Sequence, residues 1–311
     1  MNKGAQDMTN RKALLRVESL LAGAQLPALP QSAIRLLQLS QDPENGPAEF
    51  AVPIESDPGL TGQVLKFVNS SYFGFAREIS SIRLAITLVG IRTIKNFALW
   101  SAVFSLMPNP KCGPFDLKSM WQDSLRRGLF ARTMGRLLGQ VDSEDLFAAA
   151  LLQDMAVPLL AKELPVEYDK LFQLRQSGRT RLSDLEQERF GWNHAEAAGL
   201  LARRWSLPEE FADLIQSHTK FTELLAKGAT PGQAAVSLSA LLPTVRDDIW
   251  FERDAFVEAY CRLTGSAESQ IQPLLAEIDA DFQEFAPVLK LGMPARTLAD
   301  CLAEPEESAV S

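Results

Sequence analysis

Histidine is nearly missing from this chain: its 311 residues contain two, His194 and His218. A nucleophilic triad needs a histidine beside an exposed Ser or Cys, and no GxSxG elbow or comparable signature supports one, so serine hydrolase chemistry is not expected. Cysteine is almost as scarce. Cys112, Cys261 and Cys301 are far apart and odd in number, which fits neither a disulfide framework nor a zinc finger and points to a reducing cytoplasm. There is no apolar run of about 18 residues to span a membrane. Positive charge is also in deficit: 39 acidic residues outweigh 31 basic ones, a net charge of -8. Nucleic acid is therefore not an expected partner, because phosphate binding usually needs a basic face. The pairs Arg11-Lys12 and Arg203-Arg204 read as solvated helix faces. The glycines form neither GxGxxG nor GxxxxGK[ST], so the usual phosphate cradles are unsupported. No fixed-period repeat stands out.

What the chain has is helical periodicity. Apolar residues recur three and four apart nearly everywhere, as in Ile34, Leu36, Leu37 and Leu39, or Leu60, Val64, Leu65, Phe67 and Val68, and strand-like alternation is scarce. Start signals recur at Pro27 and Pro30, at Asp57-Pro58, and at Leu207-Pro208-Glu209-Glu210. The fold class expected is all-α. Pro-Asn-Pro at 108–110, followed by Lys-Cys-Gly-Pro at 111–114, breaks the chain into two helical layers, and KGATP at 227–231 marks a further shift. The start, MNKGAQDMTNRKALLRVESLLAG, interleaves charge with leucine and reads as a helix rather than a secretory signal, and the acidic end EPEESAVS reads as a frayed tail.

One stretch concentrates the chemistry. Residues 146–161, LFAAALLQDMAVPLLA, read as a helix that is apolar on nearly every side, with Gln153 and Asp154 as its only polar side chains. Such a helix is surrounded by protein, so this pair needs partners. Metal chemistry there requires His or Cys, or several carboxylates, to converge on Asp154, and a neutral amide such as Gln153 is a weak ligand. Taken alone, His194 reads as a helix-start residue and His218 as a last-turn residue whose positive ring suits the helix dipole. Glu209-Glu210 and Asp247-Asp248 read as helix-terminal charge and a solvated face rather than acid/base pairs.

Several blocks in order carry a resemblance: LPALPQSAIRLLQLSQDP at 26–43, IESDPGLTGQVLKFVNSSYFGF at 54–75, ISSIRLAITLVGIRTIKNFAL at 79–99, MWQDSLRRGLFARTMG at 120–135, the 146–161 stretch, and FGWNHAEAAGLLARRWSLPEEFADLIQSH at 190–218. Together they resemble the HD-related output (HDOD) domain, a non-catalytic offshoot of the HD phosphohydrolase superfamily. The resemblance covers an HDOD domain at 26–220; pattern alone reads an N-terminal helix at 1–25, a C-terminal helical extension at 221–300 and a flexible acidic tail at 301–311. The resemblance places the superfamily's first metal-binding histidine on Asp123, its His-Asp pair on Gln153 and Asp154, and the lysine that often follows on Val157. His194 and His218 are similar to later histidines of some members.

With one aspartate surviving from that set, no metal, cofactor or catalytic residue is expected, and Asp154 is expected to be neutralised by Arg126 or Arg127. The function implied is a cytoplasmic bacterial signalling module that binds a protein partner or a small ligand, a nucleotide among them. The rival is a degenerate metal phosphohydrolase built from Asp123, Asp154, His194 and His218. Most of residues 54–99 read as core, with Ser80-Ser81 capping a helix; Lys66, Arg77, Arg83, Arg92 and Lys95 are the exposed members available to a partner.

Overall fold

The computed structural model describes residues 15–24, 28–140, 142–175 and 178–303, and it is helical, with no strand among them. The helices are α1 (15–23), α2 (Gln31–Leu39), α3 (Pro47–Glu55), α4 (Pro58–Val68), α5 (Ile82–Val89), α6 (Ile91–Leu106), α7 (Leu117–Leu137), α8 (Ser143–Leu152), α9 (Ala156–Glu163) and α10 (Pro165–Leu174). They continue with α11 (Leu182–Phe190), α12 (His194–Arg204), α13 (Glu209–Ser217), α14 (Phe221–Lys227), α15 (Pro231–Ser239), α16 (Arg253–Thr264), α17 (Ile271–Phe285) and α18 (Leu298–Ala303). No helix among the described residues is long and apolar enough to cross a membrane.

The expected punctuation is where the helices start. Asp57 accepts the Leu60 N–H with Pro58 in the first turn, Ser81 accepts the Leu84 N–H, and Thr230 accepts the Gln233 N–H with Pro231 behind it. Each cap satisfies a backbone donor that the helix itself cannot. Asn69, after α4, clasps the following loop: its amide donates to the Ile79 carbonyl and accepts the Ile79 N–H, both at 2.7 Å. The break at 107–116 also forms, and Asp116 caps α7 by accepting the Ser119 N–H.

The long helix α7 is the spine. Helix α8 lies against it, α15 and α17 pack on other sides, and α2 to α6 form a layer reached through α6 and α8. The close approach of α7 and α8 has a local cause. A Cβ added at Gly128 would stand 3.1 Å from the Phe147 carbonyl oxygen, and one at Gly135 would stand 2.4 Å from Leu146 Cδ1. These glycines are seven residues apart and share a face, opposite Ser143, Leu146 and Phe147 of α8. The Gly128→Val variant is therefore expected to lose about 1–3 kcal/mol in denaturant unfolding, because a backbone carbonyl cannot step aside as a side chain can.

A single apolar core runs from Val17 to Leu302, and Val236, Phe256, Ile278, Phe282 and Phe285 of the C-terminal part are buried in it with Leu125, Leu129 and Phe130 of α7. At the other end, Arg204 donates to the Leu21 carbonyl at 2.9 Å and ties α1 to α12. Three features depart from the sequence reading. The 146–161 stretch is two helices, not one: Gln153, Asp154 and Met155 form a turn between α8 and α9. Pro158 has no N–H to give the Asp154 carbonyl, which instead accepts from Val157 at 2.9 Å, a tighter bond of the kind that ends a helix. The segment read as tail begins inside α18, where Cys301 and Leu302 are buried; residues 304–311, 1–14 with Arg11-Lys12, and 25–27 lie outside the described residues. Lys95 is half-buried rather than exposed, and burial lowers its pKa.

Candidate functional site

Helical spacing brings Asp123 and Arg127 to one face of α7, four residues apart. That face looks onto the α8–α9 turn, which presents Asp154, and onto the start of α12 and the end of α13, which present His194 and His218. All five line one cavity of about 420 Å³.

Asp154 is the hub. Its Oδ2 is ion-paired to Arg127 Nη1, while its Oδ1 lies 3.2 Å from His194 Nε2 and 3.4 Å from His218 Nε2. Burial alone would raise its pKa, but Arg127 and the two rings hold it well below the usual carboxylate range. Arg127 is thus the neutralising cation; Arg126 points the other way, donates to the Arg296 carbonyl and lies over the Phe282 ring at 5.8 Å.

Each imidazole is held from behind. Glu186, which is fully buried, accepts the Tyr168 hydroxyl at 2.6 Å and the His194 N–H at 2.7 Å, and its Oε2 lies 2.6 Å from His194 Nδ1. Burial disfavours a charged His194 ring, yet the Glu186 carboxylate and the bond to Asp154 outweigh it and push the pKa up to about 10. His218 Nδ1 faces the Ile215 carbonyl at 2.6 Å, and burial lowers its pKa. A carbonyl only accepts, so Nδ1 carries the proton and the neutral ring turns its Nε2 lone pair toward Asp154. That contact joins two acceptors unless a proton or a cation lies between them. Both histidines stand at helix ends as expected but are buried: His194 is 6% exposed, His218 2%, and His218 is not the positive ring expected at a helix end.

Asp154 Oδ1, His194 Nε2 and His218 Nε2 all lie within 4.8 Å of one another, and these are three donors that suit a divalent cation. The Glu186 and Ile215 contacts orient the rings as outer partners of metal-bound histidines do. Asp123 and Gln153 stand apart from this trio. Asp123 Oδ1 accepts the Val245 N–H at 2.7 Å, and burial pushes its pKa up to about 7 despite Arg127. Gln153 is fully buried and turned toward α15, where its Oε1 receives the Ser239 hydroxyl at 3.4 Å and its Nε2 has no partner. Removing an unpaired buried amide relieves a desolvation cost, so Gln153→Leu is expected to raise stability by about 1 kcal/mol in denaturant unfolding.

Sequence reasoning missed Glu186 and Tyr168, which read as ordinary helix positions, and it misread Asp247. That carboxylate lies under the surface, where Arg175 grips both oxygens at 2.7 and 2.8 Å. Asp247 belongs to the segment 240–252, which lines the cavity through Leu242, Thr244, Arg246, Ile249 and Phe251 among others. The C-terminal part therefore supplies part of the cavity wall.

Residues 26–221 match the HDOD domain family, well over half of the chain. The chain belongs to the HDOD family. An HDOD domain protein from Geobacter sulfurreducens has a similar solved structure, with a TM-score of 0.71, 23% identity, and coverage of 91% of this chain and 99% of that one. A candidate phosphohydrolase from Shewanella amazonensis gives a TM-score of 0.69 at 20% identity, over 89% and 98% of the two chains. A candidate signal transduction protein from Marinobacter aquaeolei gives 0.69 at 20% identity, over 93% and 67%. At these identities the likeness is one of fold, and it extends beyond the HDOD span into the C-terminal helices. An uncharacterized protein of Treponema pallidum (strain Nichols) is 24% identical over 194 residues, and that match spans 37% of its length.

Proposed function

We propose that this HDOD protein is a regulatory module of bacterial signal transduction that works in the cytoplasm by binding a protein partner or a small ligand, without catalysis. The observation that carries the reading is the Arg127–Asp154 ion pair: the one superfamily aspartate already has its counter-charge from the protein itself. Asp123 is occupied by Val245, and Gln153 faces away from the cavity. The cavity left over offers aromatic and polar walls to a small molecule, with the stacked Phe115–Phe172 pair on one side. The test is a thermal-shift screen of the purified chain with mono-, di- and cyclic nucleotides, run beside a phosphoester turnover assay with each divalent metal. A ligand at about 100 times its Kd would stabilise by about 2.7 kcal/mol. Binding without turnover supports the module; metal-dependent turnover lost in Asp154→Asn overturns it.

A second reading, a metal-dependent phosphohydrolase, draws on the convergence of His194 and His218 on Asp154. A bound metal would supply an activated water. Near-stoichiometric zinc, iron, manganese, nickel or cobalt in the untagged protein would favour it.

A further inference from the structure

A second cavity, of about 380 Å³, lies where the Tyr72–Phe73 loop and the start of α6 meet α7, α8 and Phe285 of α17. It shares no lining residue with the cavity around Asp154, so it stands whether or not that one takes a ligand. Its interior is aromatic: Phe67 stacks on Phe97 at 4.0 Å, and Phe73 meets Phe67 edge-on at 4.9 Å. The wall on α7 is a held cation. The Arg132 guanidinium, on a side chain 3% exposed, lies over the Tyr72 ring at 5.0 Å and the Phe147 ring at 5.4 Å, with Asp281 Oδ2 3.1 Å from its Nη2. The polar groups here are not all taken. Among the described residues, the Tyr72 and Thr93 hydroxyls have no hydrogen-bond partner, and neither has the buried Nε of Arg132. Glu144 turns one oxygen, Oε1, to Arg132 at 3.9 Å and to Arg136 at 3.3 Å, and its Oε2 has no partner of its own among them.

We propose that this cavity binds a free aromatic amino acid, with its ring among Phe67, Phe73 and Phe97, its carboxylate on Arg136 and the Tyr72 hydroxyl, and its ammonium on Glu144. Charge sets the class. Arg132 and Arg136 balance Glu144 and Asp281 at this edge, so a ligand with one net charge brings an uncompensated charge to a half-sheltered site, whereas a zwitterion brings none. The walls set the rest. Aromatic surfaces favour a ring that packs edge-on or offset against them, and about 380 Å³ is at the small end of ligand cavities, room for one ring and a short head group. The unpartnered hydroxyls of Tyr72 and Thr93 suit a ligand that ends in acceptors, as a carboxylate does.

Calorimetric titration of the full chain with phenylalanine, tyrosine and tryptophan tests this, beside phenylpropionate, which lacks the ammonium, phenethylamine, which lacks the carboxylate, and leucine, which lacks the ring. At least one aromatic amino acid should bind, with each control at least about tenfold weaker, the loss expected when a charged partner or the ring is left unmatched. Tyr72→Phe, which keeps the ring beneath Arg132, and Arg136→Ala, at a side chain 56% exposed, should each weaken that binding about tenfold while melting as wild type does. Hydrogen exchange of the wild-type chain with the ligand should slow in peptides covering 67–75 and 89–97 and not in 240–252, which carries the test alone should either variant melt early. Binding of none of the three amino acids, equal binding of any control, or protection at 240–252 in place of 67–97 would overturn the assignment.

Discussion

Replacing Asp154 by alanine is expected to cost the chain about 3–5 kcal/mol in stability, the largest loss for any single polar residue of the site. The carboxylate separates three groups, two of which, Arg127 and His194, depend on its charge. Arg127 is nearly buried and has Asp154 as its ion-pair partner; His194 has Glu186 on one side and Asp154 on the other; His218 has Asp154 alone opposite the Ile215 carbonyl. Taking away the hub leaves a guanidinium in a low-dielectric cavity without its ion-pair partner, facing only the more distant charges of Asp123, Asp247 and Glu252. Asp154→Asn, which keeps shape and one acceptor, should fall between wild type and alanine. Guanidinium unfolding monitored by far-UV circular dichroism checks the order; an alanine variant within about 1 kcal/mol of wild type would show that Arg127 escapes to solvent and that the hub is not structural.

Stability is also expected to fall as pH rises from about 6.5 to about 10, with His194 as the cause. Its folded pKa is raised to about 10 from an ordinary 6.5, so the folded chain holds a proton that the unfolded chain releases across that window. The contribution is fully present below pH 6.5 and is lost as pH climbs through 10, at about 1.4 kcal/mol per pH unit at most. Asp123 acts at lower pH: raised to about 7 from 3.8, it removes stability between those values and nothing above them. Asp154, whose pKa is depressed, contributes stability above 3.8 that is lost only in acid. Between pH 7, above Asp123, and pH 9, where the raised thiols of Cys112 and Cys301 begin to add to it, the decline is chiefly that of His194. Urea midpoints taken at pH 7, 8 and 9 should decline in wild type and flatten in His194→Gln. A level wild-type profile would mean that the ring is neutral in the folded protein and that Asp154 is satisfied by Arg127 alone.

Much of this was legible in the residues. Three- and four-residue apolar spacing, together with Asp57-Pro58, Ser81 and Thr230-Pro231, is local information, and local information is what sets helix starts. The neutralisation of Asp154 by a neighbour on the preceding helix was legible for the same reason, since a buried charge has to be paired. The turn at 153–155 was hidden because an apolar run masks a missing amide at Pro158. Glu186 and Asp247 were hidden for a different reason. A carboxylate on a polar helix or in a loop looks solvated until another element brings its partner, as α10 and α12 bring Tyr168 and His194 to Glu186, and as the chain returns from 60 or more residues away to join Asp247 to Arg175 and Val245 to Asp123. Long-range pairing has no spacing rule to read.

The single core running from Val17 to Leu302 separates two ideas that share a boundary on paper. The HDOD match ends at residue 221, yet the spine α7 is walled on two sides by α15 and α17, which lie beyond it. The span by which relatives are recognised is a record of which positions vary slowly. The unit that melts as one body is set by which side chains exclude water from each other. Here the second is larger than the first, so a mutation near residue 280, on α17, acts by direct packing on α7, the helix that carries Asp123.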